Sequence, residues 1–205
     1  MTQTALDDDS APDAERRRLT LLTAGVGGAG IIAASVPFVS SFAPSERAKS
    51  QGAPVTVAVD GLREESLTTV EWRGKPVWIL RRSLAQQKVL LSAGLQRDLV
   101  DPASERSEQQ PDYTVNPQRS IRPEIGVYVA LCTHLGCIPT YRPEVGAADI
   151  GSDWPGGFYC PCHGSRFDLA GRVFRNVPAP SNLLVPPYRF ASDTVIEIGV
   201  DRNES

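Results

Sequence analysis

Histidine, cysteine and methionine are scarce in this 205-residue chain, which has two, four and one of them respectively. Every cysteine and histidine falls in two short runs, so a Cys/His site gathered from ligands scattered along the sequence is excluded. The formal net charge of -3 leaves no basic excess for a polyanion, and nucleic acid is not an expected partner. No internal repeat is present, which excludes a solenoid. Charge of either sign is missing from residues 19–45, a gap too long for an ordinary surface segment.

What is there is concentrated. The first run is Cys132-Thr133-His134-Leu135-Gly136-Cys137 and the second is Cys160-Pro161-Cys162-His163-Gly164-Ser165. Such runs can hold a metal, form disulfides, or do both. Cys132 and His134 can face one side of a turning loop, and Cys160 with His163 suits a tight loop around an ion. A structural zinc site also takes two cysteines and two histidines at short spacings. Zinc would leave a further cysteine in each run without a role, and zinc fingers usually place their histidine pair together on a helix.

The two motifs together resemble those of the Rieske iron-sulfur subunit of cytochrome bc complexes. The resemblance implies one 2Fe-2S cluster held by Cys132, His134, Cys160 and His163, with two thiolates on one iron and two imidazoles on the other. Neutral imidazoles in place of charged thiolates raise the reduction potential. It further implies a disulfide between Cys137 and Cys162, which the related ring-hydroxylating oxygenases lack. His163, and with it His134, would present an outer ring nitrogen at the tip, where His163 contacts quinol and accepts its proton. The potential would then fall as pH rises. Ser165 would donate to a bridging sulfide, and Pro178-Ala179-Pro180 would cover the cluster from a third side. Two positions depart from the family pattern. Phe167 stands where many members have a tyrosine that bonds a ligand sulfur, so Phe167→Tyr is expected to raise the potential. Val177 stands where many have glycine. Leu135 is expected to be exposed at the tip of the free domain, or else packed.

The uncharged stretch is long enough to cross a hydrocarbon core of about 30 Å, which needs roughly 20 helical residues. It predicts a transmembrane helix over residues 19–43, after a cytoplasmic segment 1–18. A cleaved signal peptide is the alternative, although its apolar core usually runs only about 7 to 15 residues. Arg16, Arg17 and Arg18 satisfy the positive-inside rule, although Arg47 and Lys49 follow the span. With Leu19-Thr20-Leu21-Leu22 the arginines also resemble a twin-arginine export signal. Gly25, Gly27, Gly28 and Gly30 would let another membrane helix approach closely. Residues 44–54, polar and small, read as a linker, by composition simple spacing between membrane and domain, and the resemblance implies a flexible hinge there.

From residue 55 the signals are β-type. Residues 55–59 alternate, 67–72 and 76–82 flank Arg73-Gly74-Lys75 as a hairpin, and 126–131 lead into the first Cys/His run. Phe158-Tyr159 leads into the second, with further strands expected at 172–174 and 194–198, a short helix at 83–93 and a surface loop at 99–119. The expected fold is all-β: a Rieske-type antiparallel β domain over 55–205 with its cluster at the tip, preceded by one transmembrane helix. The resemblance implies an electron-transfer subunit of a respiratory quinol-cytochrome c oxidoreductase in the bacterial inner membrane, with the C-terminal domain in the periplasm. Its partners would be a cytochrome b subunit, a c-type cytochrome, quinol and the lipid bilayer, in a dimeric complex. The alternatives are the Rieske small subunit of a periplasmic molybdenum oxidase such as arsenite oxidase, and a zinc-binding module.

Overall fold

Hydrophobic patterning changes character once along the chain, and the computed structural model, which describes residues 14–43, 45 and 52–202, divides accordingly into units Met1–Lys49 and Ser50–Ser205. In the first unit, helix α1 spans Ala14–Ser41, 28 residues. At 1.5 Å per residue that is about 42 Å, enough for a bilayer core. Its most apolar window has a mean hydropathy of 1.8, and none of that window is buried within the protein. The helix takes in Arg16, Arg17 and Arg18 as its opening turns, because arginine is a good helix former and nothing before Leu19 breaks the pattern. Residues 1–13 of the expected N-terminal segment, and 44 and 46–51 of the expected hinge, lie outside the described residues.

The second unit is built from three small antiparallel sheets. Strands β1 (Val55–Ala58), β9 (Val195–Ile198) and β8 (Tyr188–Ser192) form one, in that order. A second has β2 (Leu67–Trp72), β3 (Lys75–Arg81) and β4 (Ile125–Val129). The third joins β5 (Thr140–Arg142), β6 (Gly157–Tyr159) and β7 (Arg166–Phe167). The β2–β3 hairpin pairs Trp72 with Lys75 across Arg73 and Gly74, both with positive φ, the two-residue turn whose twist matches that of its strands. Strand β3 is central, so Val77, Trp78, Ile79 and Leu80 are all buried. All five residues of β4 are buried as well. Gly126 belongs there for lack of room: a Cβ would come within 2.5 Å of the Tyr128 hydroxyl.

Aromatic packing fastens the third sheet to the second. Phe158 of β6 is fully buried, stacks on Trp78 at 4.7 Å and meets the edge of Tyr128 at 6.0 Å. Burial of such a ring stabilises by about 2–3 kcal/mol, and each aromatic pair adds about 1 kcal/mol. The small sheet that carries both Cys/His loops therefore sits on a rigid base.

Four expectations from the sequence need correction. The helix expected at 83–93 is two, α2 (Leu84–Leu90) and α3 (Ala93–Arg97), because a second cap restarts the chain. Ser83 and Gln86 form a reciprocal capping box on α2, while Ser92 accepts from Leu95 N–H to open α3. Residues 172–174 make single bridges, Leu99 to Phe174 and Phe167 to Val173, rather than a strand. Strands β5, β7 and β8 were not anticipated. The 99–119 stretch is only partly a surface loop, since Ser104, Gln110, Thr114 and Arg119 are buried in it. Its charge is misleading because carbonyls take the outer nitrogens of the Arg119 guanidinium: Nη1 donates to Ala170 O at 3.2 Å and Nη2 to Gln109 O at 3.1 Å. Burial lowers its pKa to about 10.

Candidate metal centre

Both Cys/His runs fold into the same loop. In the first, between β4 and β5, Cys132 N–H donates to Cys137 O at 2.7 Å and Gly136 N–H to Cys132 O at 2.9 Å. In the second, between β6 and β7, Cys160 N–H donates to Ser165 O at 2.8 Å and Gly164 N–H to Cys160 O at 2.9 Å. The reversal needs a left-handed residue at the fifth position of each loop, supplied by Gly136 with φ 79° and Gly164 with φ 74°. A β-carbon at either would strain the turn whatever the space around it. The common spacing Cys-x-x-x-Gly is the sequence signal for this paired geometry, and sequence reasoning passed over both glycines.

The paired loops face each other. A Cys137–Cys162 disulfide joins them, bridging a sequence separation of 25. The His134 and His163 rings stand edge to face with centroids 4.8 Å apart. Cys132 and Cys160 are free and buried, and their thiols are within hydrogen-bonding reach of each other. Burial first, then the Cys132 neighbour, raises the pKa of the Cys160 thiol. The sulfurs of Cys137, Cys160 and Cys162 also lie within 4.8 Å of one another, but the disulfide pair has no thiolate to offer a metal.

A third wall comes from residues 177–182. Ala179 N–H donates to the buried Ser165 Oγ at 3.1 Å, which leaves the serine's own hydrogen free to point elsewhere. Thr133 Oγ1 donates to Ser181 O at 2.7 Å. Thr133 was not singled out from the sequence, and its place inside the first motif was the available signal. Phe167 is fully buried in the core. Leu135 and Ile138 are 71% and 56% exposed beside the first loop, an apolar rim around the histidines. A separate cavity of about 310 Å³, bounded by Leu95, Trp154, Arg166 and Phe174, contains none of the six Cys/His residues.

Residues 53–189 match the Rieske [2Fe-2S] domain. The chain belongs to the Rieske family. Along 93% of its length it is 55% identical to a ubiquinol-cytochrome c reductase iron-sulfur subunit of Allochromatium vinosum, covering 90% of that protein. Proteins of the same description from Blastochloris viridis and Rickettsia prowazekii are 39% and 34% identical, over 93% and 94% of this chain and 96% and 98% of theirs. A Rieske-type 2Fe-2S cluster is the cofactor of this family, and the loops fit it. His134 Nδ1 is buried with no hydrogen-bond partner among the described residues, an arrangement that costs about 1–3 kcal/mol unless something else takes the lone pair. Two buried free thiols complete a set of soft and imidazole donors on facing loops.

Proposed function

We propose that the chain is the electron-transfer subunit of a membrane-bound quinol-cytochrome c reductase, with His163 as its quinol contact. The relatives that share over nine-tenths of its length carry that name, and electron transfer then belongs to the complex rather than to this chain alone. The observation that carries the site assignment is the orphaned His134 Nδ1 on a ring whose centroid lies 4.8 Å from that of a second imidazole, on a loop with the same pair of backbone hydrogen bonds.

In this reading Cys132 and Cys160 supply two thiolates, and His134 and His163 one ring nitrogen each. When bound, the 2Fe-2S cluster supplies a one-electron acceptor whose potential the neutral imidazoles raise. His163 is exposed, so its outward ring nitrogen can accept a hydrogen bond from a quinol hydroxyl and hold the proton that leaves with the electron. Leu135 and Ile138 lose their exposure when the tip enters an apolar quinol pocket on a cytochrome b partner. Ser165, whose Oγ already accepts from Ala179 N–H, would have its hydroxyl hydrogen to offer to a cluster sulfur. α1 anchors the chain as a single pass, which leaves the second unit on the periplasmic face, where a c-type cytochrome receives the electron and the disulfide persists. The complex is read as a dimer.

Electron paramagnetic resonance of the full chain in detergent tests this. A signal that appears with ascorbate, with an average g below that of all-cysteine clusters, and that is lost in His163→Ala is the expected result. A signal needing dithionite would remove the quinol assignment, and zinc without iron would remove the redox reading.

A further inference from the structure

The wall over the two Cys/His loops has an anchor that the family motifs do not contain. Pro178 and Pro180 have no N–H, so the segment Pro178-Ala179-Pro180 offers a single backbone donor, the Ala179 N–H already given to Ser165 Oγ, and any further hold must come through carbonyls. Ser181 O is taken from within by Thr133. Pro180 O is taken from outside by Arg106 Nη1, at 3.0 Å and across 74 residues of sequence.

Arg106 is placed for this by its own backbone. Its N–H reaches Asp101 Oδ2 at 3.4 Å, while Glu105 N–H reaches Asp101 Oδ1 at 2.9 Å. Its carbonyl accepts from Gln109 N–H at 3.0 Å and from Gln110 Nε2 at 2.8 Å. The circuit closes on the wall itself, since Asn182 Nδ2 donates to Asp101 O at 3.2 Å and Asn182 Oδ1 accepts from Val173 N–H at 2.9 Å. An exposed arginine ordinarily loses side-chain entropy in making one surface bond, but a backbone fixed this firmly reduces what remains to be lost.

We infer that Arg106 is a positioning residue, clamping the Pro178-Ala179-Pro180 wall over the metal centre through the Pro180 carbonyl and adding a positive charge at its edge. The inference rests on the Rieske reading of the site. A guanidinium donating to a neutral carbonyl makes a charge-assisted bond. Its charge favours the more negative, reduced state of whatever the loops hold, and a closed wall keeps water away from it; hydrogen bonding, charge and solvent exposure all set such potentials.

The test uses the full chain in detergent with its cluster, comparing wild type, Arg106→Ala, Arg106→Lys and, as a charge-loss control elsewhere on the surface, Arg63→Ala. Redox titration followed by electron paramagnetic resonance gives the midpoint potential, and hydrogen exchange reports the Ala179 and Ser181 amides. Arg106→Ala is expected to lower the potential and to speed that exchange about two- to fivefold, the range of a modest surface interaction. Arg106→Lys should recover part of both, and Arg63→Ala should change neither. A potential and exchange in Arg106→Ala equal to wild type would overturn the inference, as would an equal fall in Arg63→Ala. A wild-type chain without the ascorbate-reducible signal would overturn the Rieske reading as well, so the two failures are distinguishable.

Discussion

Replacing Arg172 by methionine should unfold the second unit far more readily than any surface change. The Arg172 side chain is fully buried and donates Nε to Asp168 Oδ2 at 2.8 Å, with the carboxylate side chain only 1% exposed. Its other nitrogens reach Pro102 O at 3.0 Å and Leu90 O at 2.8 Å, tying the second loop's flank to α2 and to the 99–119 stretch. Methionine refills most of the volume, so the cost is electrostatic rather than a cavity. Asp168 Oδ1 keeps Ala170 N–H and the backbone N–H of residue 172, both at 2.8 Å, but Oδ2 loses the guanidinium and two carbonyls lose these donors. Breaking a buried pair from one side costs about 3–5 kcal/mol. With a urea dependence of about 2 kcal/mol per molar, the unfolding midpoint should fall by about 2 M. Tryptophan fluorescence is the assay, because Trp72, Trp78 and Trp154 are all buried, at 6%, 4% and 1% exposure. Adding Asp168→Asn should restore part of the loss by removing the stranded charge. A single-variant loss below about 1 kcal/mol, or a double variant as unstable as the sum, would refute the account.

Further outcomes follow from single contacts. Cys137→Ser removes a cross-link across a 25-residue separation and should cost about 3.5 kcal/mol, read by thermal unfolding under oxidising conditions. Ser165→Ala strands the Ala179 N–H and removes a donor from the metal centre, so both the midpoint potential and the protection of that amide should fall in redox titration and hydrogen exchange. Hydrogen bonds from Arg142, at 2.8 Å to each oxygen, hold the Asp149 carboxyl down at about 2, against an ordinary 3.8. The stability this pair gives is present above pH 3.8 and is lost as pH falls through about 2. In Arg142→Gln the carboxyl should titrate near its ordinary value by carbon-13 NMR, and an unmoved titration would show that another group holds it.

The candidate site was more legible than the fold around it, for a physical reason. Metal-ligating side chains come from a few residue types at short spacing, so the two runs holding Cys132, His134, Cys137, Cys160, Cys162 and His163 stand out against a chain otherwise empty of cysteine and histidine. The long, uncharged stretch of α1 and the β2–β3 hairpin were equally plain, each having a strong period or turn signal. Strands β5 and β7, at three and two residues, are too short for any period to register. The buried Arg82, Arg119 and Arg172 were hidden by the ordinary rule that charge lies outside, which fails where backbone carbonyls converge on a guanidinium. Anchors such as Arg106 on Pro180 join residues 74 apart, and nothing local in the sequence points to such a pair.

The two loops are one backbone used twice, yet their histidines fall at different steps, two residues after Cys132 and three after Cys160. A shift of one step on a shared scaffold sends the rings to unlike environments: His134 hides a nitrogen from water, and His163 stands in it. Duplicating a loop alone would give two interchangeable halves. Moving one side chain by a single position makes the halves unlike, with a buried ring nitrogen on His134 and an exposed ring on His163.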